Sequence, residues 1–432
     1  MKKITTVILA AGKSSRFNHI KSKIFQDLGG ISIIEHVYLI AKKISNRNVI
    51  FVCNKNNIDQ LKIKFPNAKF IIQNKQSGTA DAILCVKKNL ININVLILFG
   101  DIPLINLNSI KKLINNFYKN KSIGSMIAFK TDNPHSYGRV SVKKNLVTSI
   151  VEELDASKEE KKINLCNSGV MLCNANLLFK NIHLISRKNI KKEKYLPSIF
   201  SILHRKGLSF TFILGFEEEM LGVNTIENFI NLDRIFQNKI KNKIIKNGVI
   251  MLQPETIRVS FDTKIKKGSI IEPFVIIKPG VLINENVIIK SHSVIEGCII
   301  NNNSSIGPSA RIRPNSKIGK NVKIGNFVEI KNSTIKDNTS ISHLSYIGDS
   351  ELGNNVNIGA GTITCNYNGK KKNKTIIKNN VFVGSNSSLV APITIGKNST
   401  IGAGSVITTN IPENNLAIER SKIKIVRKHG KK

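Results

Sequence analysis

The stretch that decides the fold runs from Ile265 to Ile295 and reads IKKGSIIEPFVIIKPGVLINENVIIKSHSVI. An aliphatic residue occupies every sixth position of it. The same spacing reaches back to Val259, and after shifts of register it resumes twice downstream. The aliphatic residues of the three runs are Val259, Ile265, Ile271, Ile277, Ile283, Ile289 and Ile295; then Ile306, Ile312, Ile318, Ile324 and Ile330; and finally Ile377, Val383, Leu389, Ile395, Ile401 and Ile407.

A period of six fits neither an α-helix nor a flat strand, whose side chains repeat every 3.6 and 2 residues. It is typical of a triangular coil in which three six-residue units each form a short strand and a turn. Three buried aliphatic side chains contribute roughly 5–9 kcal/mol, less than it costs to order the coil's roughly eighteen residues. The coils must therefore stack, and the sequence predicts an all-β, left-handed parallel β-helix.

The first half of the chain has a different pattern, in which short apolar runs alternate with amphipathic stretches. Runs without polar alternation predict strands of a Rossmann-like, mixed and mostly parallel sheet that helices cover on both faces. The predicted strands are Ile4–Leu9, Val49–Cys53, Phe70–Ile72, Val95–Phe99, Met126–Phe129, Val170–Leu172 and Phe210–Leu214, and the predicted helices are Ile33–Lys43, Thr79–Asn89 and Ser109–Lys119.

Between the two patterns lies a stretch with helical periodicity that ends at Gly248. Its predicted inner face carries Ile226, Phe229, Ile230, Asp233, Phe236, Ile240 and Ile244. We therefore expect an α/β domain over residues 1–224, a linker helix over 225–247, and a hexapeptide-repeat domain with a basic tail over 248–432.

The charge of the chain first suggests a nucleic-acid partner. Its 66 Lys and Arg outnumber 28 Asp and Glu, for a net charge of +38. The lysines are spread over loops, helices and coils, however, and aromatic residues make up only 6%. Because Lys, Asn and Ile can all be encoded by A/T-only codons, we interpret the charge as largely compositional. We expect no specific nucleic-acid partner, only nonspecific attraction to polyanions that salt weakens.

Several other features bound the class of protein. No run of about 18 apolar residues occurs, so we expect no membrane insertion, and the apolar start is too short for a convincing signal peptide. The six cysteines form no CxxC motif and no Cys/His cluster with zinc spacing. We therefore expect reduced thiols, no disulfides, no structural metal and a cytoplasmic location.

Two elements of the first domain point to nucleotide chemistry. The first strand leads into a loop of small residues, Ala10–Gly12, followed by Lys13 and Arg16, which could approach phosphates. It is not a Walker A motif, and small-residue turns of this kind are common. The buried run before Asp101 ends on a carboxylate at the edge of the sheet, which could hold Mg²⁺ or could be a solvated turn residue before Pro103.

Two features of the second domain break the six-residue pattern. His343 lies in Ser342–Tyr346, and a polar insertion separates Thr364 from Ile376. A loop that leaves a rigid scaffold is a common place for a binding site. A lone histidine is otherwise more often a capping or core residue, so the histidine and the insertion together indicate a site.

The order of the motifs resembles a known enzyme family. LAAGKSSR, Lys23, Gln73, Gly78-Thr79, GDIPL, Tyr137-Gly138-Arg139, Glu152, Asn167-Ser168-Gly169 and Gly222-Val223-Asn224 follow one another as in the sugar-nucleotide pyrophosphorylases. With the hexapeptide domain behind them, the chain resembles over essentially its full length the bifunctional N-acetylglucosamine-1-phosphate uridyltransferases / glucosamine-1-phosphate N-acetyltransferases.

The resemblance implies a function for each domain. The second domain would transfer an acetyl group from acetyl-CoA to glucosamine-1-phosphate, and the nucleotidyltransferase domain would then join N-acetylglucosamine-1-phosphate to UTP with release of pyrophosphate. The product, UDP-N-acetylglucosamine, supplies peptidoglycan and lipopolysaccharide synthesis. The resemblance also implies Mg²⁺ for uridyl transfer and a homotrimer whose acetyl sites draw on neighbouring subunits.

The resemblance assigns roles to residues of both domains. It implies that Leu9, Ala10, Ala11, Gly12, Gln73, Gly78 and Thr79 hold the uridine, that Lys13 and Lys23 face phosphates, that Gly138, Glu152 and Asn167 hold the sugar, and that Asp101 and Asn224 bind the metal. In the second domain it implies His343 as general base, Arg313, Lys331, Tyr346, Asn357 and Lys372 for the sugar phosphate, and Ala360, Asn366, Tyr367, Ser385, Ala403 and Arg420 for acetyl-CoA, with Ser385 as a candidate oxyanion donor.

The chain departs from the family pattern at three places. Ser14 stands where a glycine is usual, Ser22 where a proline is usual, and Pro197-Ser198 where Thr-Asp is usual. We expect uridyl transfer to be retained with weaker sugar binding. The alternatives are a monofunctional sugar-1-phosphate nucleotidyltransferase whose hexapeptide arm is structural, and a basic scaffold or nucleic-acid binder without turnover.

Overall fold

The computed structural model describes residues 4–12, 17, 22–90 and 93–426. The chain divides into two compact units, Met1–Ile235 and Phe236–Lys432. In the described part of the chain, no helix is long and apolar enough to cross a bilayer.

The first unit is built on a mixed sheet of nine strands. The strands of this unit are β1 (Ile4–Leu9), β2 (Asp27–Leu28), β3 (Ile31–Ser32), β4 (Val49–Cys53), β5 (Lys69–Ile72), β6 (Asn94–Phe99), β7 (Gly124–Lys130), β8 (Arg139–Lys143), β9 (Leu146–Val151), β10 (Leu165–Asn174) and β11 (Phe210–Leu214). The sheet order is β5-β4-β1-β6-β10-β7-β11-β9-β8, and β2 and β3 form a separate hairpin.

Helices cover both faces of this sheet. They are α1 (Ile33–Ser45), α2 (Ile58–Lys64), α3 (Thr79–Leu84), α4 (Leu107–Lys119), α5 (Lys158–Lys161), α6 (Ala175–Asn181) and α7 (Ser198–Arg205), with 3₁₀ turns at Lys23–Phe25, Lys87–Asn89, Ile182–Leu184 and Glu217–Glu219. Helix α8 (Ile226–Lys246) runs across the boundary between the two units, and a 3₁₀ turn at Pro254–Thr256 follows it in the second unit. Successive residues of β1 face opposite layers, Val7 and Leu9 one core and Ile8 the other. The absence of polar alternation in these strands therefore reflects burial on both sides.

The topology determines where a ligand can bind. Strands β5, β4, β1 and β6 are parallel, so their carboxyl ends meet at one edge, and β10 joins them antiparallel to β6. Ligands of open α/β sheets bind at such an edge. The predicted mixed sheet is confirmed.

The structure corrects two details of the helix predictions. The helix predicted over Thr79–Asn89 ends at Leu84 and is followed by a 3₁₀ turn. In α8 the predicted inner residues Ile226 and Ile230 are exposed. Its buried face instead carries Leu232, Phe236, Gln237, Lys241 and Ile244, because the polar side chains of Gln237 and Lys241 are satisfied by backbone groups of Pro254–Val259.

The second unit is a β-helix with three parallel sheets, here called the first, second and third faces. The first-face strands are Ile250–Met251, Ile270–Ile271, Ile288–Ile289, Ser305–Ile306, Lys323–Asn326, Ser340–His343, Asn357–Ile358, Phe382–Val383, Thr400–Ile401 and Leu416–Ala417. The second-face strands are Lys264–Ile265, Leu282–Ile283, Cys298–Ile300, Ser316–Ile318, Thr334–Ile335, Ser350–Leu352, Thr375–Ile377 and Ile393–Ile395. The third-face strands are Ile276–Ile277, Val294–Ile295, Arg311–Ile312, Glu329–Lys331, Tyr346–Gly348, Ile363–Cys365, Ser388–Val390 and Val406–Ile407.

The aliphatic residues of the six-residue period fill the interior of this β-helix. Every one of them is buried, from Val259 to Ile407, and they belong to one continuous core. The first register shift is a shortened corner, since the residue equivalent to Ile295 on the next face is Ile300, five positions on. A later shift is the insertion between Cys365 and Thr375. The fold class predicted from the period, an α/β nucleotidyltransferase domain followed by a left-handed parallel β-helix, is confirmed.

Candidate active sites

The first candidate site is a cleft of about 380 Å³ at the carboxyl edge of the parallel strands. Its predicted lining residues are Leu9, Ala10, Ala11, Gly12, Lys23, Gln73, Gly78, Thr79 and Asp101, which the structure brings together. Ile24, Gln76, Ala82, Phe99 and Glu193 also line it and were not predicted. Lys13 was predicted to face phosphates and lies outside the described residues.

The loop after β1 is held by amides from neighbouring loops. The carbonyl of Ala10 accepts from Asn57 Nδ2 at 2.8 Å, and that of Ala11 accepts from Gln76 Nε2 at 2.8 Å. Gln76 lies three residues after Gln73 in the same loop, a proximity that could have identified it. Both carbonyls of the loop therefore have hydrogen-bond donors from neighbouring loops.

Gln73, Gly78 and Thr79 connect the two sides of the cleft. Gln73 donates to the Gly78 carbonyl at 3.1 Å, and the Thr79 hydroxyl accepts from the backbone N–H of Leu196 at 2.9 Å. A Cβ on Gly78 would lie 2.4 Å from the Lys194 carbonyl oxygen. The close packing at position 78 thus requires a glycine. It also brings residues 194–196 next to the residues predicted to hold the nucleotide.

Lys23, Asp101 and Asn224 form a compact polar group. The Lys23 ammonium lies 2.5 Å from Asp101 Oδ2 and 3.1 Å from Asn224 Oδ1. The carboxylate and the amide oxygen therefore converge on a single positive charge. Oxygen donors of this kind are those that Mg²⁺ prefers, with phosphate oxygens and water completing the shell. Within the described residues, no cluster of three or more His, Cys, Asp or Glu could hold a metal.

The residues predicted for the sugar meet on the far side of β6. The Gly138 carbonyl accepts from the Asn167 N–H at 2.8 Å, and a Cβ on Gly138 would lie 3.3 Å from Glu152 Oε1. Asn167 begins an irregularity of β10 that ends at Met171. Bulges of this kind redirect side chains beside active sites.

Partly buried carboxyl and phenol groups lie on this sugar side. Burial raises the pKa of Glu152 above its ordinary value, while nearby Lys191 lowers it and Asp155 raises it. Burial, with the charges of Glu193, Asp155 and Glu152, raises the pKa of Tyr195 to about 12. Tyr195 therefore stays protonated and can donate a hydrogen bond at neutral pH.

The second candidate site is a cationic cluster on the third face of the β-helix. Arg313 donates to Glu329 Oε1 at 2.9 Å, and Lys331 lies 3.9 Å from Asp349 Oδ2. Lys372 comes within hydrogen-bonding reach of Lys331, and that contact, with the charge of Lys331, lowers the pKa of Lys372. Two ammonium groups held this close favour an anion between them.

The insertion after Cys365 folds back over this cluster. It is a short hairpin, closed by a bridge between Tyr367 and Lys372. Asn366 donates from Nδ2 to Asp349 and lies 3.5 Å from the Tyr346 hydroxyl. Gly348 has no Cβ, and one would lie 2.4 Å from that hydroxyl. The structure therefore brings Arg313, Lys331, Tyr346, Asn366 and Lys372 together.

The remaining predicted residues lie at a different edge, where the first and third faces meet. His343, Ala360, Ser385 and Ala403 occupy equivalent positions of successive first-face coils, as the strand registers require. They span three rungs, or about 14 Å, and Arg420 Cδ lies 3.9 Å from where a Gly404 Cβ would be. Asn357 is also on the first face. Within one chain, Asn357 is separated from the third-face cluster, and Tyr367 from the column of His343.

Comparisons with known proteins agree with this two-part organisation. Family models match residues 6–164 (MobA-like NTP transferase domain), 294–368 (GMPPB C-terminal domain), and 262–297 and 374–409 (bacterial transferase hexapeptide, six repeats). The protein described as "Bifunctional protein GlmU" of Buchnera aphidicola subsp. Acyrthosiphon pisum (strain APS) is 40% identical over 437 residues, covering 95% of this chain and 93% of its own. The chain belongs to the GlmU family.

Other members of the family match as fully. Those of Campylobacter fetus and Bartonella bacilliformis are 39% and 36% identical, covering 98% and 96% of this chain and 96% and 94% of their own. A solved glucose-1-phosphate thymidylyltransferase from Bacillus anthracis covers 54% of this chain and 95% of its own at 16% identity, with a TM-score of 0.44. The full-length matches to the GlmU family and the two kinds of domain model show that the protein is a bifunctional uridyltransferase and acetyltransferase, and the monofunctional alternative is not favoured.

Proposed function

We propose that this chain makes UDP-N-acetylglucosamine in two steps at the two sites described above. The β-helix transfers an acetyl group from acetyl-CoA to glucosamine-1-phosphate, and the α/β unit joins the product to UTP. The convergence of a small-residue loop, Lys23 and a strand-end Asp101 on one cleft carries the nucleotide assignment. His343 on the first face and the cationic cluster on the third face carry the acetyl assignment.

In uridyl transfer, the phosphate oxygen of N-acetylglucosamine-1-phosphate attacks the α-phosphorus of UTP. A new P–O bond forms, the bond to the β-phosphate breaks, and pyrophosphate leaves. The chain's contribution is alignment and charge neutralisation, because no proton transfer is required. Gly138, Glu152 and Asn167 orient the sugar, while Lys23, with Lys13, faces the phosphates.

Asp101 and Asn224 would hold the Mg²⁺ that accompanies the nucleotide. Their oxygens already share one positive partner, which supports a common cation site. When bound, the ion neutralises charge that develops on the phosphate oxygens.

In acetyl transfer, the amine of glucosamine-1-phosphate attacks the thioester carbonyl of acetyl-CoA. His343 takes the proton of the ammonium, a new C–N bond forms, and the C–S bond breaks to release the thiol of coenzyme A. Arg313, Lys331, Tyr346 and Lys372 hold the sugar phosphate. Ser385, two rungs from His343, is the candidate donor to the carbonyl oxygen as it gains charge.

We further propose that the chain acts as a homotrimer in the cytoplasm. Within one chain, Asn357 lies apart from the third-face cluster and Tyr367 lies apart from the column of His343. This separation supports acetyltransferase sites that a second chain completes. The corner that ends the first face also exposes Phe274, Phe327 and Leu344, which are 51%, 62% and 61% accessible. Sedimentation should give three times the chain mass of 47.9 kDa. The six free cysteines fit a reducing compartment.

The experiment that tests the function is a reconstitution with omissions. Purified protein is incubated with glucosamine-1-phosphate, acetyl-CoA, UTP and Mg²⁺, and UDP-N-acetylglucosamine is followed by chromatography. We expect product only in the complete mixture, and N-acetylglucosamine-1-phosphate alone when UTP is omitted. Product without acetyl-CoA, or no acetylated sugar without UTP, would contradict the proposal.

A further inference from the structure

A side chain on the neighbouring coil contacts the imidazole of His343. Asn326 Oδ1 lies 2.6 Å from His343 Nδ1. The two residues are register partners at the ends of adjacent first-face strands. The backbone also fixes this pair, since the Asn326 carbonyl accepts from the Leu344 N–H at 3.0 Å. The contact is therefore built into the β-helix register.

The chemistry of this contact determines which nitrogen is free to act as a base. An amide oxygen can only accept a hydrogen bond, so Nδ1 must carry the hydrogen. A neutral imidazole has one N–H, and its lone pair is then on Nε2. The imidazole is thus held in one tautomer and one ring orientation.

We propose that Asn326 is a positioning residue for acetyl transfer, which holds His343 with Nε2 free to take the proton of the substrate amine. The proposal rests on the proposed function of His343 as general base. The role of Asn326 differs from that of the asparagines at the coil corners. Those asparagines, such as Asn321 and Asn338, hydrogen-bond to one another along the β-helix.

The neutrality of the amide is part of the role. A carboxylate in the same place would also accept from Nδ1, but its charge would favour the imidazolium form, which cannot take a proton. The flanking positions on the first face, Asn326 and Ala360, are uncharged. The titratable groups on the elements around His343 are Lys323 on the neighbouring strand and Glu329, Lys331 and Tyr346 on the third face.

Two variants at position 326 test the proposal in the full-length protein. Asn326→Ala removes the acceptor, and we expect kcat for acetyl transfer to fall about 10- to 100-fold, with KM for both substrates changed less than about threefold. Asn326→Asp keeps the acceptor, so we expect it to recover most of the rate at high pH. The acid limb of its pH–rate profile should move to higher pH.

Controls on the same chain separate the possible outcomes. Asn321→Ala removes an amide from a corner and should leave kcat unchanged, and uridyl transfer should be unaffected in every variant. An Asn326→Ala protein within threefold of the wild-type kcat would overturn the proposal, as would equal losses in both variants without a pH shift. The His343→Ala variant separates the positioning role of Asn326 from the general-base role of His343. If this variant retains acetyl transfer, the proposed function of His343 is itself wrong.

Discussion

At the scale of single residues, the backbone conformation of Gly169 shapes the proposed sugar side of the cleft. Its φ of +80° lies in the left-handed region, within the irregularity of β10. A Cβ there would lie 2.6 Å from the Phe99 ring. The glycine therefore lets β10 turn Asn167 toward the cleft while Phe99 lines it.

We expect Gly169→Ala to damage both stability and sugar binding. The left-handed backbone alone costs a side chain about 1 kcal/mol, and the contact with Phe99 adds to that cost. Thermal unfolding and KM for N-acetylglucosamine-1-phosphate measure the two effects. Gly207→Ala is the matched control, since its φ is +71° but nothing lies within 4 Å. Equal effects of the two variants would contradict this account.

Glu152 gives a prediction about pH. Burial raises its pKa in the folded protein, so the unfolded chain loses its proton first as the pH rises. Stability is therefore lost as the pH rises from the unfolded value, near 4.3, through the folded value. We expect Glu152→Gln to unfold at a higher temperature than wild type at pH 7.5, with the difference vanishing near pH 4.

The same substitution should weaken sugar binding, because a neutral amide replaces the carboxylate that we propose to hold the sugar. KM for N-acetylglucosamine-1-phosphate should rise while KM for UTP stays unchanged. The exposed Glu159→Gln, on α5, serves as a control without either effect. A stability difference that is the same at both pH values would show that burial of Glu152 is not its cause.

At the scale of elements, α7 carries the departure from the family at Pro197-Ser198. Pro197 is its N-cap and offers no side-chain acceptor to the first turn. The residue before it, Leu196, donates to Thr79 across the cleft. The start of α7 is therefore joined to the nucleotide side but lacks a cap of its own.

We expect the double variant Pro197→Thr/Ser198→Asp to bind the sugar phosphate more tightly. A threonine N-cap stabilises a helix by about 1 kcal/mol, and an aspartate in the first turn complements the helix dipole. KM for N-acetylglucosamine-1-phosphate should fall severalfold. Ser198→Asp alone isolates the dipole effect. A KM that is unchanged or higher in the double variant would contradict this expectation.

The elements also show what the sequence could predict. The period of six predicted the core positions of its three runs, because each coil repeats the same inward residue. It missed core residues where the register shifts, namely Ile300, Ile335, Ile341, Ile347, Leu352 and Ile358. Strands β8 and β9 were not predicted, since only four of their eleven residues are buried and no apolar run marks them. The contact of Asn326 with His343 was also invisible, because it joins residues 17 positions apart through the coil register.

At the scale of the whole molecule, the composition has a partial structural explanation. Isoleucine fills the β-helix core, and asparagine occupies coil corners with left-handed backbone, which it tolerates well. The corner asparagines of one column are Asn286, Asn303, Asn321, Asn338, Asn355, Asn380, Asn398 and Asn414. The interpretation by codons alone is therefore incomplete for these two residues. The lysines predicted to serve the two sites are Lys13, Lys23, Lys331 and Lys372.

The central claim is that one chain carries two separate transferase sites. The most direct measurement follows acetylation and uridylation in His343→Ala, in Asp101→Ala and in an equal mixture of the two. We predict that the first makes UDP-N-acetylglucosamine only from N-acetylglucosamine-1-phosphate, that the second accumulates that intermediate, and that the mixture completes the sequence. Loss of both activities in either variant, in a protein that still folds, would contradict the claim.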